Sequence, residues 1–335
     1  MLTRRDFGLR LALGGALTAL PVAAFSQGAP DTSLVVTGDT SPVHDPCIIK
    51  ADGLYHLFST SQMQEGRGLI AWRTSPDLLS WTFKGGVMPA FPDWVMQALP
   101  DTKGAWAPDI SCHNGQYRLY YAASQFGRNT SVIGLMTTPT LDTTRPDFGW
   151  TDQGLVIATH TGDDYNAIDP NLIADVDGGL WLALGSFWTG LKLFPIDPAT
   201  GKPKAGGKPL AIARRPQSPD AVEGAFIVRK DDACYLFASY DFCCRGAAST
   251  YYTVVGRSRD VSGPYVDRDG KSLLQGGGTV VLSATDRWKG PGHCAVLQDA
   301  GADYIVYHAY DAQNNGRPTL RINRLDWRDG WPVAV

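Results

Sequence analysis

A chain of 335 residues is long enough for one large all-β domain or two ordinary ones. Its formal net charge is −3 with no long run of one sign, which argues against nucleic acid or an anionic membrane as the main partner and favours a neutral polymer. Aromatics are 10% of the chain, with ten Trp and thirteen Tyr; aromatic faces suit carbohydrate, although a Trp-rich β core would have the same composition.

The N-terminus reads as a targeting segment outside the fold. Thr3-Arg4-Arg5-Asp6-Phe7-Gly8-Leu9 has a twin-arginine pattern, and an apolar stretch runs from Leu9 to Phe25. That stretch is short for a membrane span and is broken by Gly14, Gly15 and Pro21. Residues 1–26 are therefore expected to be a signal peptide that delivers the protein to the periplasm or the medium. A retained membrane anchor is the alternative. Nothing later resembles a transmembrane helix, so no membrane association is expected after processing.

From residue 34 onward the chain reads as short strands separated by Gly, Pro, Asn and Asp. The first group is Cys47 to Lys50, Leu54 to Thr60, Gly68 to Thr74 and Trp81 to Phe83. The second is Ile110 to Cys112, Tyr117 to Ala122, Ser131 to Thr137 and Trp150 to Gly154, with Asn114-Gly115 as a hairpin signal. The third holds Leu172 to Ala174, Leu180 to Leu184 and Leu191 to Ile196. The fourth holds Ala225 to Val228, Cys234 to Ser239 and Tyr252 to Ser258. The fifth holds Ala295 to Leu297, Tyr304 to Ala309 and Leu320 to Leu325. Asp45, Asp109, Asp169, Glu223 and His293 stand at the entrances of these groups, at spacings of 64, 60, 54 and 70 residues. Five repeats of a meander predict an all-β, five-bladed propeller over residues 34–335, with four-stranded antiparallel blades around a central channel. A β-sandwich would leave the fivefold phrase unexplained. Because the first strand of each blade lines the channel, the five entrance residues are expected at equivalent positions around its mouth. The insert Phe91 to Lys103 is expected to border the cleft.

Six cysteines are present. Four lie in or beside apolar runs and read as buried thiols, and no spacing suggests zinc. Adjacent Cys243 and Cys244 are expected to be two thiols, since a ring disulfide between neighbours is strained.

One Asp before Pro is usually a turn residue. A set of acids brought to one place needs a reason, because each raises its neighbours' pKa. Metal binding and acid–base catalysis are the candidates. Hydrolysis of a glycosidic bond needs one protonated and one ionised carboxyl on opposite sides of that bond.

The phrases His44-Asp45-Pro46, Ala107-Pro108-Asp109, Asn166-Ala167-Ile168-Asp169-Pro170-Asn171, Val222-Glu223-Gly224 and Gly290-Pro291-Gly292-His293 resemble glycoside hydrolase family 43. Within it, the chain is similar to endo-1,5-α-L-arabinanases, over nearly all of the mature sequence. Gly185-Ser186-Phe187-Trp188 and Asp241-Phe242-Cys243-Cys244-Arg245-Gly246, running on to Ser258, add to the likeness. The resemblance implies an enzyme that cuts internal α-1,5-linked arabinofuranosyl bonds of arabinan with inversion. Asp45 would be the general base, Glu223 the general acid, and Asp169 a third carboxylate that raises and orients the acid. Asp109 would be scaffold. Asn166, Ala167, Ile168, Ser186, Phe187 and Trp188 would contact substrate. Trp106 is a candidate stacking platform, and Gly127 lies in a loop where backbone could approach a sugar. His293 would take a calcium ion on the propeller axis, the one cofactor expected; calcium's preference for oxygen leaves most ligands to water. A monomer is expected. Exo-acting arabinanase or β-xylosidase of the same family, and a non-catalytic carbohydrate-binding propeller, are the competing readings.

Overall fold

The computed structural model describes residues 31–62, 67–299 and 301–335. The expected signal segment lies outside them. The chain forms five sheets of four or five strands arranged as the blades of a propeller. The innermost strands are Cys47–Ala51, Gly104–His113, Asn171–Ala174, Val222–Lys230 and Trp288–Asp299. In each blade the chain then steps outward by antiparallel hairpins. Tight turns enforce this. Asp52-Gly53 and Asn114-Gly115 each form a two-residue loop with positive φ at both positions, the geometry that matches the twist of the flanking strands.

The fourth strands of blades three, four and five, which the sequence did not reveal, are Leu210–Ala213, Thr279–Leu282 and Trp331–Ala334. Three blades gain a fifth strand: in blade three Lys202–Pro203 pairs with Ile196–Asp197, and blades one and two each add a short edge. Thr37–Gly38 pairs in parallel with Ser80–Trp81, and Ser61–Gln62 pairs with Gly104–Ala105. The core lies between blades. One cluster joins blades one, two and five through residues such as Leu57, Phe58, Tyr121, Val306 and Ile322; others join two with three, three with four, and four with five. Truncating the fully buried Phe58 to Ala would cost about 3–5 kcal/mol.

The N-terminal arm closes the ring. Leu34 N–H donates to Ile322 O, Val43 N–H to Pro318 O, and Asp31 pairs with Arg321 at 2.9 Å. All of blade five comes from the C-terminus, so this arm bridges the last blade to the first.

The insert between blades one and two departs from expectation. It forms a short helix, Asp93–Ala98, whose Val95 is fully buried with Phe91 and Leu99 against the core. None of its residues lines the central cavity. Its apolar residues are consumed by packing, not by the cleft.

Candidate active site

At each blade entrance one residue adopts a left-handed backbone: Asp45, Ala107, Asp169, Gly224 and His293, with φ between 43° and 62°. In blades two, four and five a register shift follows directly. In those three blades the kink interrupts the pairing as a bulge does, with pairs on either side of it. It also corrects the expected fivefold equivalence. Asp45, Asp169 and His293 occupy the kink itself. Glu223 sits one residue before it, in the same place as His44, Trp106 and Ile168. Asp109 sits two residues after it, inside the strand.

Asp109 accordingly serves the frame. Its carboxylate accepts from Asn171 Nδ2 at 2.9 Å and Leu172 N–H at 2.8 Å, and Asn171 Oδ1 in turn accepts from Ile227 N–H. These bonds tie blade two to three and three to four. Burial pushes the Asp109 carboxyl up to about 6, partly offset by those donors.

The remaining acids meet in a cavity of about 1000 Å³. Asp45, Asp169, Glu223 and His293 line it, as do Trp106, Gly127, Asn166, Ile168, Ser186, Phe187 and Trp188. Ala167 does not: it is fully buried, with its amide donating to Thr159 Oγ1. Trp106 is both wall and core, being half-buried and packed against Tyr120 and its neighbours. Phe187 and Trp188 have consecutive positive φ values of 54° and 47°. That conformation costs bulky residues about 1–3 kcal/mol each and marks a constrained wall. Asn166 is engaged by Ser131 Oγ at its Oδ1, leaving its amide N–H₂ toward the cavity side.

Asp45 lies among a hydroxyl and three imidazoles, of which His308 accepts at Nδ1 from the Asp45 amide N–H at 3.1 Å. Thr60 Oγ1 donates to Oδ2 at 2.6 Å. Oδ1 lies 2.8 Å from His44 Nδ1, 3.3 Å from His293 Nδ1 and 3.7 Å from His308 Nδ1. Burial alone would raise this carboxyl, but the imidazoles, His44 first, outweigh it and hold Asp45 well below the usual carboxylate range. Burial lowers His293 and His308, whereas the pull of Asp45 raises His44 despite burial. Of the three imidazoles, His44 is the one whose proton affinity is raised on balance.

Glu223 has the opposite setting. Its oxygens accept from Ser186 Oγ at 2.6 Å and Tyr251 Oη at 2.8 Å. Burial raises its pKa, those two hydroxyls pull it back in part, and the charge of Asp45 adds to the rise. Ser186 thus gives its proton to the acid, and its oxygen lone pairs are what remain for a sugar hydroxyl. Asp169 accepts from Gly224 N–H at 3.0 Å, gripping the peptide next to Glu223. Burial lifts Asp169 well above its ordinary value, and Glu223 and Asp45 lift it further. Asp169 and Glu223 cannot both ionise cheaply, so the pair holds at least one proton. An ionised carboxylate and a protonated one thus face a single cavity, the arrangement that glycoside hydrolysis uses.

His293 offers one neutral nitrogen. With Nδ1 against Asp45, Nε2 is the atom that could take an ion. No cluster of three or more His, Cys, Asp or Glu ligand atoms among the described residues includes His293. A calcium ion there would draw most of its ligands from water.

The family model for glycosyl hydrolases family 43 matches residues 35–332. The chain belongs to that family. It is 41% identical over 92% of its length to extracellular endo-α-(1→5)-L-arabinanase 1 of Bacillus subtilis, spanning 92% of that protein. It is 40% identical over 87% of its length to extracellular exo-α-(1→5)-L-arabinofuranosidase ArbA of Cellvibrio japonicus, spanning 85% of it. It superposes on the structure of Cellvibrio cellulosa α-L-arabinanase complexed with arabinohexaose with a TM-score of 0.83, at 39% identity over 88% of this chain and 96% of that one. This family 43 glycoside hydrolase thus has the five-bladed architecture of its structural relatives.

Several site residues escaped the sequence reading. His44 and Thr60 both meet the Asp45 carboxylate, and neither has a sequence signal of its own beyond the His44-Asp45-Pro46 phrase. Tyr251 lay inside a stretch that carried the family likeness without a role. His308 and Tyr310 come from the second strand of blade five, where nothing but an apolar run was visible. Cys243 and Cys244 line the cavity and are joined as a disulfide, against the expectation of two thiols. Cys47, Cys234 and Cys294 are buried thiols as expected, whereas Cys112 is exposed.

Proposed function

We propose that this hydrolase acts on arabinan and arabino-oligosaccharides outside the cytoplasm, cleaving internal α-1,5-linked L-arabinofuranosyl bonds with inversion. The observation that carries this reading is the opposite bias of Asp45 and Glu223 across one cavity, in a chain whose relatives bear arabinanase names.

In this reading Asp45, fixed at both oxygens by Thr60 and His44, keeps a lone pair for a water molecule and takes its proton as that water attacks the anomeric carbon. Glu223, protonated because it is buried, gives its proton to the departing glycosidic oxygen. Asp169 holds the Glu223–Gly224 peptide and, as part of the proton-sharing pair, keeps Glu223 from ionising early. Trp106, Phe187 and Trp188 offer apolar faces to furanose rings. Calcium, with His293 as its protein ligand, would supply a fixed positive charge near Asp45. Export through the twin-arginine segment and a monomeric state belong to the same proposal.

The second reading is exo action, favoured by the Cellvibrio japonicus relative. Product sizes from linear arabinan at early times decide between them. A ladder of oligosaccharides supports endo cleavage; one short product alone defeats it. The anomer first released, read by NMR, must be β for inversion to stand.

A further inference from the structure

The disulfide of Cys243 and Cys244 is the one motif that the proposed chemistry leaves unused. It lies at the cavity wall, with Cys244 Sγ 3.8 Å from His44 Nε2. Behind it runs a continuous set of hydrogen bonds. Cys244 N–H donates to Tyr310 Oη at 2.8 Å, Tyr310 Oη meets His44 Nε2 at 2.7 Å, and His44 Nδ1 meets Asp45 Oδ1 at 2.8 Å.

We propose that Tyr310 is a positioning residue for Asp45, acting through His44 and anchored by the disulfide loop. The proposal rests on the reading of Asp45 as the base. His44 stacks on His308 at 3.8 Å between centroids, which fixes the plane of its ring. Stacking does not decide which nitrogen carries the proton. A neutral His44 with its proton on Nε2 would turn a lone pair toward the Asp45 carboxylate, which is repulsive. Tyr310 disfavours that state: Cys244 N–H already donates to its oxygen, so its own proton is turned toward Nε2, which accepts it only when the His44 proton sits on Nδ1, facing Asp45. If His44 is doubly protonated, the same hydroxyl accepts from Nε2 and Nδ1 still faces Asp45. Tyr310 is itself held: it is buried, and its oxygen is set by an amide of a loop whose neighbouring residues are covalently joined. That loop is further pinned by Tyr251 N–H to Phe242 O and Arg245 N–H to Ser249 Oγ. The cysteines thus stabilise the far end of a chain of contacts that begins at the base.

The test is a set of kinetic cycles on the full-length protein, with linear arabinan as substrate. Tyr310→Phe should lower kcat about tenfold, a fraction of what a general base contributes, and leave KM within about twofold. Reduction by a phosphine breaks the S–S bond, giving two thiols as water oxygen converts the phosphine to its oxide. The other four cysteines are free, so among the described residues this is the one bond it attacks. Reduction should lower the wild-type kcat and add nothing to Tyr310→Phe. His44→Asn keeps a donor near Nδ1 and deletes Nε2, so Tyr310→Phe should add nothing there either. A wild-type kcat for Tyr310→Phe, or losses that multiply across either cycle, overturns the proposal. Should Tyr310→Phe fail to fold, reduction and the Cys243→Ser, Cys244→Ser double variant read the same link, and an unchanged kcat in both sinks it. Asp45→Asn separates the two layers: near-wild-type turnover there would remove the base reading and this proposal together. An inactive Asp45→Asn with an unaffected Tyr310→Phe would remove this proposal alone.

Discussion

The two walls of the cavity differ in what surrounds the acid. On the blade-one side, Asp45 meets three imidazoles and a threonine hydroxyl and is held ionised. On the blade-four side, Glu223 accepts from two hydroxyls, has no ion-pair partner among the described residues, and has its pKa raised by burial. Both acids come from the same kind of strand entrance, offset by one residue. The difference teaches that the fold supplies position, while the neighbours of each acid decide its charge.

The largest way to break this comparison is to neutralise either acid. Glu223→Gln and Asp45→Asn should each lower kcat by about 10³-fold or more with the fold intact by circular dichroism. They should also differ from each other. A substrate with an activated leaving group needs little protonation, so it should restore much of the rate to Glu223→Gln and none to Asp45→Asn. Equal rescue of both would erase the distinction between the walls.

Next comes Asp169→Asn, expected to lower kcat about 10- to 100-fold by loosening the proton-sharing pair. Its stability should move the other way. A buried carboxyl with a raised folded pKa contributes stability below its unfolded pKa, and that contribution is lost as pH rises through the folded value. The variant should therefore melt about 2 °C higher than wild type near pH 8, with no gain near pH 4. A melting point that falls at both pH values would mean that Asp169 is purely a brace.

The pH profile sharpens the comparison further. With Asp45 held below the usual carboxylate range and Glu223 above it, the bell of kcat/KM should have its acid limb below and its basic limb above the ordinary values. Ser186→Ala removes a bond that favours the ionised acid, so the basic limb should move to still higher pH. A shift downward would show that Ser186 holds the protonated form instead. The smallest expected effect is that of chelation. Removing divalent ions should lower the melting temperature or the rate modestly, and no change in either would remove calcium from His293.

Much of the fold was legible because propeller strands are short and bounded by turn residues such as Asn114-Gly115. The outer strands of blades three to five were not, because each is an isolated run of four residues, too short to show a strand period. Within the site, the acids could be read from the phrases that repeat at the blade entrances. Their tuning groups could not. His308 and Tyr310 reach Asp45 and His44 from more than 260 residues away in sequence, and no local pattern marks them. The insert around Trp94 misled for the opposite reason: an aromatic in a long loop resembles a cleft border, but this one packs down and donates to Asp152.

The seam between the first and last blades carries a consequence for the life of the chain. Asp45 lies near the start of the fold, yet His293 and His308, which face it, and Tyr310, which holds His44, all belong to the blade synthesised last. A nascent or C-terminally truncated chain can therefore hold every carboxyl of the site and still lack two of the imidazoles around Asp45 and the hydroxyl that meets His44. The cavity's polar wall is complete only with the final hairpins, so closing the ring and finishing the site are one event.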